Sequence, residues 1–334
     1  MLIFTEQELK QYITLNQEAL TVIEDSFNKL AQRQVVMPPI MRLDIPDHNG
    51  EVDVKTAYVE GKELFAIKVS SGFFDNPKIG LPSGSGFMML MSTRTGIPQA
   101  LFLDNGYLTE VRTAAAGAIA ADCLSQKDIE TVGIIGAGSQ ARFQLKALAL
   151  VRDFKKVLVY SRSAEPAHQY SEEMSAALGI TVQVAESAEQ VIRNSQLVVT
   201  TTPATEPIVK AEWLHPGLHI TAMGSDAERK QELETEVLAV ADKVVCDTKA
   251  QCIRLGELHH ALASGTLKDA SEVIELGQIT SKELKGRDND EQITVCDLTG
   301  TGVQDTAIAG FAYQELKKQR RRMEIDNEYG VQKN

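Results

Sequence analysis

The segment TVGIIGAGSQARFQLKAL, residues 131–148, constrains this chain more than any other. An apolar run, Val132 to Ile135, feeds Gly136-Ala137-Gly138-Ser139-Gln140-Ala141, and an amphipathic helical pattern follows. In this strand-to-helix setting the first glycine permits the tight turn, and the second lets the backbone approach a pyrophosphate. A small third residue, here Ala141, lets helix and strand pack closely. The helix N-terminus then offers unpaired N–H groups to phosphates. The six residues Gly136, Ala137, Gly138, Ser139, Gln140 and Ala141 are therefore candidate dinucleotide contacts. NAD sites usually carry an acid at the end of the next strand, where it accepts from the ribose 2′-hydroxyl. This chain has Tyr160-Ser161-Arg162-Ser163 there. Arg162 can pair with a 2′-phosphate through two hydrogen bonds and Ser161 can add another. The expected cofactor is NADPH, with NADH as the alternative.

The pattern around this loop sets the architecture. Strands read at 130–135, 156–161, 181–185, 196–201, 218–223, 243–247 and 292–297 alternate with helices at 139–151, 165–177 and 187–193, as in a parallel sheet covered on both faces. Residues 51–105 behave differently: strands at 52–58, 64–69, 86–92 and 99–104 follow one another without helices, which predicts an antiparallel or mixed sheet. Thr5 and Glu8 form a capping box for a first helix, a second amphipathic helix spans 16–32, and the pattern turns helical again from about residue 108, with an alanine-rich run that Arg112 opens and that ends at Leu124. The expected fold class is α/β: a Rossmann-type doubly wound parallel sheet plus an α+β substrate-binding and dimerisation domain. The expected divisions are 1–118, 119–303, and a C-terminal helix and tail at 304–334 that returns to the first domain.

Composition narrows the function. With 334 residues, 43% hydrophobic, the chain can bury two cores, and no apolar run is long enough to span a membrane. A net charge of −12 disfavours nucleic acid as a partner. The basic cluster Lys317, Lys318, Arg320, Arg321 and Arg322 reads as a solvated helix face or tail. Four scattered cysteines make neither a disulfide framework nor a zinc spacing, so no metal is expected. The start, MLIFTEQELKQYI, carries no secretory pattern, and the expected location is cytoplasmic.

Six segments in order then give a resemblance: Lys68 in FAIKVS, LDNGYLTEVRTAAAGAIAA, the GAGSQA loop, VVTTTPATEPIV, ITAMGSDAERKQEL and DLTGTGVQDTAIA. Along nearly its whole length the chain resembles the ornithine cyclodeaminase/μ-crystallin family, and within it the members that reduce cyclic imino acids. The resemblance implies a homodimer built through the N-terminal domain. It implies a substrate-carboxylate clamp of Arg42, Lys68 and Arg112, with Gly302 beside the substrate. Asp226 becomes the acid–base residue, with Lys68 as its catalytic companion. Thr201, Thr202 and Pro203 would line the nicotinamide ribose. Thr113, Met223, Gly224 and Val303 complete the implied cofactor contacts, with Thr301 in the wall behind the ring. The pair His259-His260 has no role in the family and reads as an exposed helix feature.

A planar guanidinium suits a carboxylate, the one strong handle of a small imino acid. Arg112 at the start of the alanine helix would also place that anion at a helix N-terminus. A carboxyl at Asp226 could manage the proton gained by the substrate nitrogen. One departure bears on substrate. Cyclodeaminating members hold a distal amine with an acid shortly before the clamp lysine, whereas Lys55 stands thirteen positions before Lys68, with Asp53 on the same strand face. The expected reaction is therefore reduction of Δ1-pyrroline-2-carboxylate to L-proline, with Δ1-piperideine-2-carboxylate to L-pipecolate as a second substrate. The alternatives are ornithine cyclodeamination with bound NAD, reduction of linear imines, and a non-catalytic crystallin-like ligand binder.

Overall fold

A computed structural model of the chain describes residues 1–319 and 323–325. They group into two compact units. One comprises Met1–Thr14, Gln32–Arg112 and the described residues from Thr301 on; the other comprises Leu15–Ala31 and Thr113–Gly300. The division falls inside the helix Tyr107–Leu124, six residues before the expected one at 118. The helix Gln17–Ala31 joins the second unit. It buries Ala19, Leu20, Ile23 and Phe27. Its partner helix Leu276–Thr280 presents Gly277, where a Cβ would lie 2.3 Å from the Phe27 carbonyl oxygen. Only glycine admits so close a crossing.

The first unit is a seven-stranded mixed sheet in the order Met323–Glu324, Leu2–Thr5, Pro98–Leu103, Gly84–Ser92, Leu64–Phe73, Gly50–Thr56, Met41–Ile45. Only Leu2–Thr5 and Pro98–Leu103 run parallel. The capping box is present, with the Thr5 N–H donating to Glu8 Oε2 at 2.8 Å, but the residues before it form a strand. Alternation along the strands gives the sheet two faces. One carries Arg42, Asp53, Lys55, Lys68, Met88 and Phe102 in register, and the helix Gly302–Leu316 packs on it. Gly302 starts that helix directly on the strand Gly50–Thr56, where a Cβ would meet the Thr56 carbonyl oxygen at 2.3 Å. Thr306 fastens the next turn: its hydroxyl donates to the Ala57 carbonyl at 3.0 Å and accepts from the Ala66 N–H at 3.1 Å.

The second unit holds eight parallel strands in the order Thr181–Val184, Lys156–Tyr160, Thr131–Ile135, Leu197–Thr200, His219–Ala222, Thr294–Asp297, Lys243–Cys246, Ile274–Glu275. Chain order reverses between Thr131–Ile135 and Leu197–Thr200. In doubly wound sheets ligands bind at such a reversal, beyond the carboxyl ends of the strands. Ile134, Val157, Val159, Leu197 and Val199 pack on Tyr170 and Met174 across one face, and Val198, Ile220 and Val295 pack on Val191, Leu233 and Leu258 across the other.

Among the described residues no helix is long and apolar enough to cross a membrane, and no group of three or more His, Cys, Asp or Glu is arranged to hold a metal ion. The four cysteines are free thiols. Of the basic cluster, Lys317 and Lys318 are exposed, and Arg320, Arg321 and Arg322 lie outside the described residues.

Candidate active site

The glycine loop occupies the reversal point. Gly136 has φ +111°, in the region that favours glycine, and a Cβ there would sit 2.5 Å from Thr201 Oγ1. Its N–H donates to the Tyr160 carbonyl at 2.8 Å, and the Thr201 N–H donates to Ile135 O at 2.9 Å. The loop is thus pinned by the strands on either side. Gly138 precedes the helix Ser139–Leu148, and nothing lies within 4 Å of its missing Cβ, which leaves the approach that a pyrophosphate needs. Ala141 is fully buried and its carbonyl accepts from the Tyr170 hydroxyl at 3.2 Å. These observations fit a dinucleotide held by the residues from Gly136 to Ala141. Ser161 is half-buried and Arg162 exposed just past the neighbouring strand.

Sequence reasoning missed Arg142, which follows Ala141 in the first turn of the helix Ser139–Leu148. Its guanidinium donates to the carbonyls of Ala137 at 2.6 Å and Gly138 at 3.1 Å, and pairs with Glu173 at 2.6 Å. The Thr113 carbonyl accepts from Gln144 Nε2 at 3.0 Å.

Beyond the next two strands, one buried carboxylate organises the loops. Glu232 accepts from Thr200 Oγ1 at 2.6 Å, from the Thr202 N–H at 2.6 Å and from the Gly224 N–H at 2.8 Å. It therefore fixes the segments bearing Thr201, Thr202, Pro203, Met223 and Gly224. A Cβ on Gly224 would lie 2.1 Å from the Thr202 carbonyl oxygen. The helix that follows starts only at Thr235 and runs to Val240, with Glu232 drawn inward as an acceptor.

Asp226 lies in the loop that follows His219–Ala222, with its side chain 36% exposed. Lys230, itself buried, donates to Asp226 Oδ1 at 2.6 Å. The Lys230 carbonyl accepts from His260 Nε2 at 2.8 Å and from the Ser225 hydroxyl. His260 is therefore a half-buried brace for this loop rather than an exposed feature. Burial holds its pKa below the usual imidazole value, so it serves as a neutral hydrogen-bonding group.

The first unit holds the cations. Lys68 and Arg112 are both buried, and both address Asp305 in the first turn of the helix Gly302–Leu316. Lys68 Nζ lies 3.2 Å from Asp305 Oδ2, and Arg112 Nε donates to Asp305 Oδ1 at 2.9 Å. Arg112 also reaches Gln304 Oε1 at 3.4 Å. Neither Asp305 nor Gln304 was anticipated, although both stand in the TGVQD stretch, where an acid opening a helix was a readable signal. Burial pulls Lys68 down to about 7, with Asp305 opposing that and Arg112 and Lys55 reinforcing it.

The helical pattern read from about residue 108 is present, but Arg112 does not open the helix. The helix begins at Tyr107, and Asp104 occupies its N-terminus by accepting from the Leu108 N–H at 2.8 Å. Arg112 therefore acts through its guanidinium alone. Arg42 is engaged by another set of groups: Asp44 at 3.1 Å, Asp53 at 3.3 Å, and Glu51. Gly302 and Val303 are buried in the first unit at the helix start.

The geometry can be set beside known proteins. The ornithine cyclodeaminase/mu-crystallin family model matches residues 2–320. This chain belongs to that family. It is 50% identical to a Sinorhizobium fredii protein named as an uncharacterized cyclodeaminase, over 95% of this chain and 96% of that one. It is 36% identical to an alanine dehydrogenase of Archaeoglobus fulgidus, over 94% of each. The structure of Thermococcus litoralis Δ1-pyrroline-2-carboxylate reductase in complex with NADH and L-proline superposes with a TM-score of 0.91 at 32% identity, covering 97% of this chain and all of that one.

Proposed function

We propose that this member of the family reduces a cyclic α-imino acid with a nicotinamide cofactor, converting Δ1-pyrroline-2-carboxylate to L-proline and accepting the six-membered homologue. The observation that carries this reading is the buried pair Lys68 and Arg112 sharing the single carboxylate of Asp305. Two buried cations answered by one shared anion leave a positive charge that a substrate carboxylate completes, since a buried charge is costly without a partner. Bound cofactor supplies the hydride. The residues from Gly136 to Ala141 hold its pyrophosphate, Lys68 and Arg112 orient the imino acid, and Asp226 manages the proton at nitrogen. Positioning of this kind removes much of the entropic cost of encounter.

The strand Gly50–Thr56 supports a substrate without a distal amine. Lys55 stands in register with Lys68 on the inner face, and both are buried. Asp53, two residues before Lys55 on the same strand face, already engages Arg42. Ornithine would bring a further cation into this neighbourhood, at a cost that rises with burial. The deciding experiment is cofactor oxidation against five- and six-membered cyclic imines, pyruvate with ammonia, and ornithine. Turnover with the cyclic imines supports the reading. Ammonia release from ornithine without net cofactor turnover replaces it with cyclodeamination, the activity named for the Sinorhizobium relative.

Cofactor choice follows from Ser161-Arg162-Ser163, where no carboxylate stands to accept from a ribose 2′-hydroxyl. We assign NADPH, with the exposed Arg162 on the 2′-phosphate. Arg162→Ala should weaken NADPH binding by about tenfold, the scale of one exposed charge-assisted contact, and leave NADH unchanged. Equal affinities for NADPH in the parent and variant would remove Arg162 from the site.

The homodimer reading rests on the outer face of the mixed sheet. Met41, Leu43, Phe87 and Leu103 are exposed there, and Val54, Ile67, Val69, Met89 and Leu101 are half-buried. A continuous apolar face of this kind marks an association surface. Met89→Asp should turn a dimer into a monomer in size-exclusion chromatography, with dinucleotide binding retained; a parent protein that elutes as a monomer refutes the assignment.

A further inference from the structure

The Asp305 carboxylate is fully buried and touches both clamp cations through separate oxygens. Its position is set by three independent restraints. Gly302 seats the start of its helix on Thr56, and Thr306 ties the following turn to Ala57 and Ala66, two residues before Lys68. Gln304 Oε1 accepts from the Thr301 N–H at 2.8 Å while also reaching Arg112. An acid in a first turn is further favoured by the helix dipole. The carboxylate is thus held from behind by the fold and meets the cations in front.

We propose that Asp305 is the positioning residue of this site: its carboxylate fixes the separation of Lys68 and Arg112 and keeps Lys68 in its ammonium form, so that the substrate carboxylate meets a preformed clamp. The assignment rests on the reading of Lys68 and Arg112 as carboxylate ligands. It gives a chemical reason for an aspartate, rather than any small polar residue, at the head of this helix.

The charges facing Lys68 come from every element around it. Asp305 stands on the helix Gly302–Leu316, Arg112 on Tyr107–Leu124 and Lys55 on Gly50–Thr56, and Asp104 lies in the turn before Tyr107. Asp305 opposes the burial that brings Lys68 to about 7, whereas Arg112 and Lys55 reinforce it. Asp305 itself pays for burial but is held below the usual carboxylate range by Lys68, Arg112 and Lys55. Deleting its charge therefore lowers the pH at which the ammonium is lost.

The test is calorimetric binding of pyrrole-2-carboxylate, a planar carboxylate, from roughly pH 5.5 to 9, where the probe has no titrating group. In the parent protein affinity should fall as Lys68 deprotonates. In Asp305→Asn the midpoint of that fall should move about one unit or more toward acid, with about a tenfold loss at neutral pH. In Asp305→Glu the charge remains but is displaced, so the midpoint should stay and the plateau affinity drop. A purely structural role would lower the plateau in both variants without moving either midpoint. An unmoved midpoint in Asp305→Asn overturns the proposal. If that variant does not fold, as judged by dinucleotide binding, then parent-like affinity in Asp305→Glu overturns it. A parent protein that binds no pyrrole-2-carboxylate overturns the clamp reading, and the assignment falls with it.

Discussion

Replacing Asp226 with asparagine is expected to lower turnover of a cyclic imino acid by about 10²–10⁴-fold, the range contributed by one positioned acid–base group, with dinucleotide binding unchanged. The side chain keeps its size and its acceptor for Lys230, so the loop should hold. Ser225, Lys230 and His260 close that loop through the Lys230 carbonyl, independently of the Asp226 carboxylate. What disappears is the ability to take up or hold a proton. Steady-state rates with saturating cofactor, alongside fluorescence titration of the dinucleotide, separate the two effects. Parent-like turnover in Asp226→Asn would take this residue out of the mechanism. Lys230→Met offers a check of a different kind, because it removes the counter-charge while sparing the carboxylate. Turnover should then fall with dinucleotide binding retained, since the 2.6 Å contact that orients the carboxylate is gone.

The glycine loop was legible because its chemistry is local. The turn, the close approach and the helix terminus are all made by consecutive residues, and Gly136, Gly138 and Ala141 stand where the pattern demands. The parallel strands were legible for the same reason: they are buried on both faces and appear as short apolar runs between helices. The charged cluster of the first unit was read only in part. Lys68 and Arg112 came through resemblance, whereas the residue that joins them lies 193 positions beyond Arg112. No local pattern reports a contact of that range. The strand Gly50–Thr56 inverts the usual reading, burying Glu51, Asp53 and Lys55 while Val52 and Val54 remain half-exposed. A hydrophobic-in rule assigns its faces the wrong way round, and only the register with Lys68 and Arg42 shows that the buried face is ionic.

The other internal acid site, in the second unit, should make stability depend on pH. Asp297 ends the strand Thr294–Asp297 fully enclosed, and burial pushes it up to about 8, with Asp247 and Glu232 adding repulsion. Glu257, close by, is driven upward by burial and by Asp297. The Asp247 carboxylate accepts from the N–H groups of Thr248, Thr299 and Gly300 at 2.7–2.9 Å. In the unfolded chain an aspartate titrates near 4, so between about pH 4 and 8 the folded protein binds a proton that the unfolded chain has released. Stability is therefore greatest toward pH 4 and is lost as pH rises through about 8. Asp297→Asn removes this dependence while preserving an acceptor for the Leu258 N–H, which reaches Asp297 Oδ2 at 2.9 Å. The variant should match the parent at acid pH and exceed it by a few kcal/mol above pH 8, the scale of one internal carboxylate forced to ionise. Urea unfolding at several pH values reads this directly, because the two curves should separate progressively between about pH 4 and 8 and keep a constant gap above that. Parallel curves would mean that Asp297 is ionised in the folded protein, and the unpartnered Oδ1 would then carry a charge.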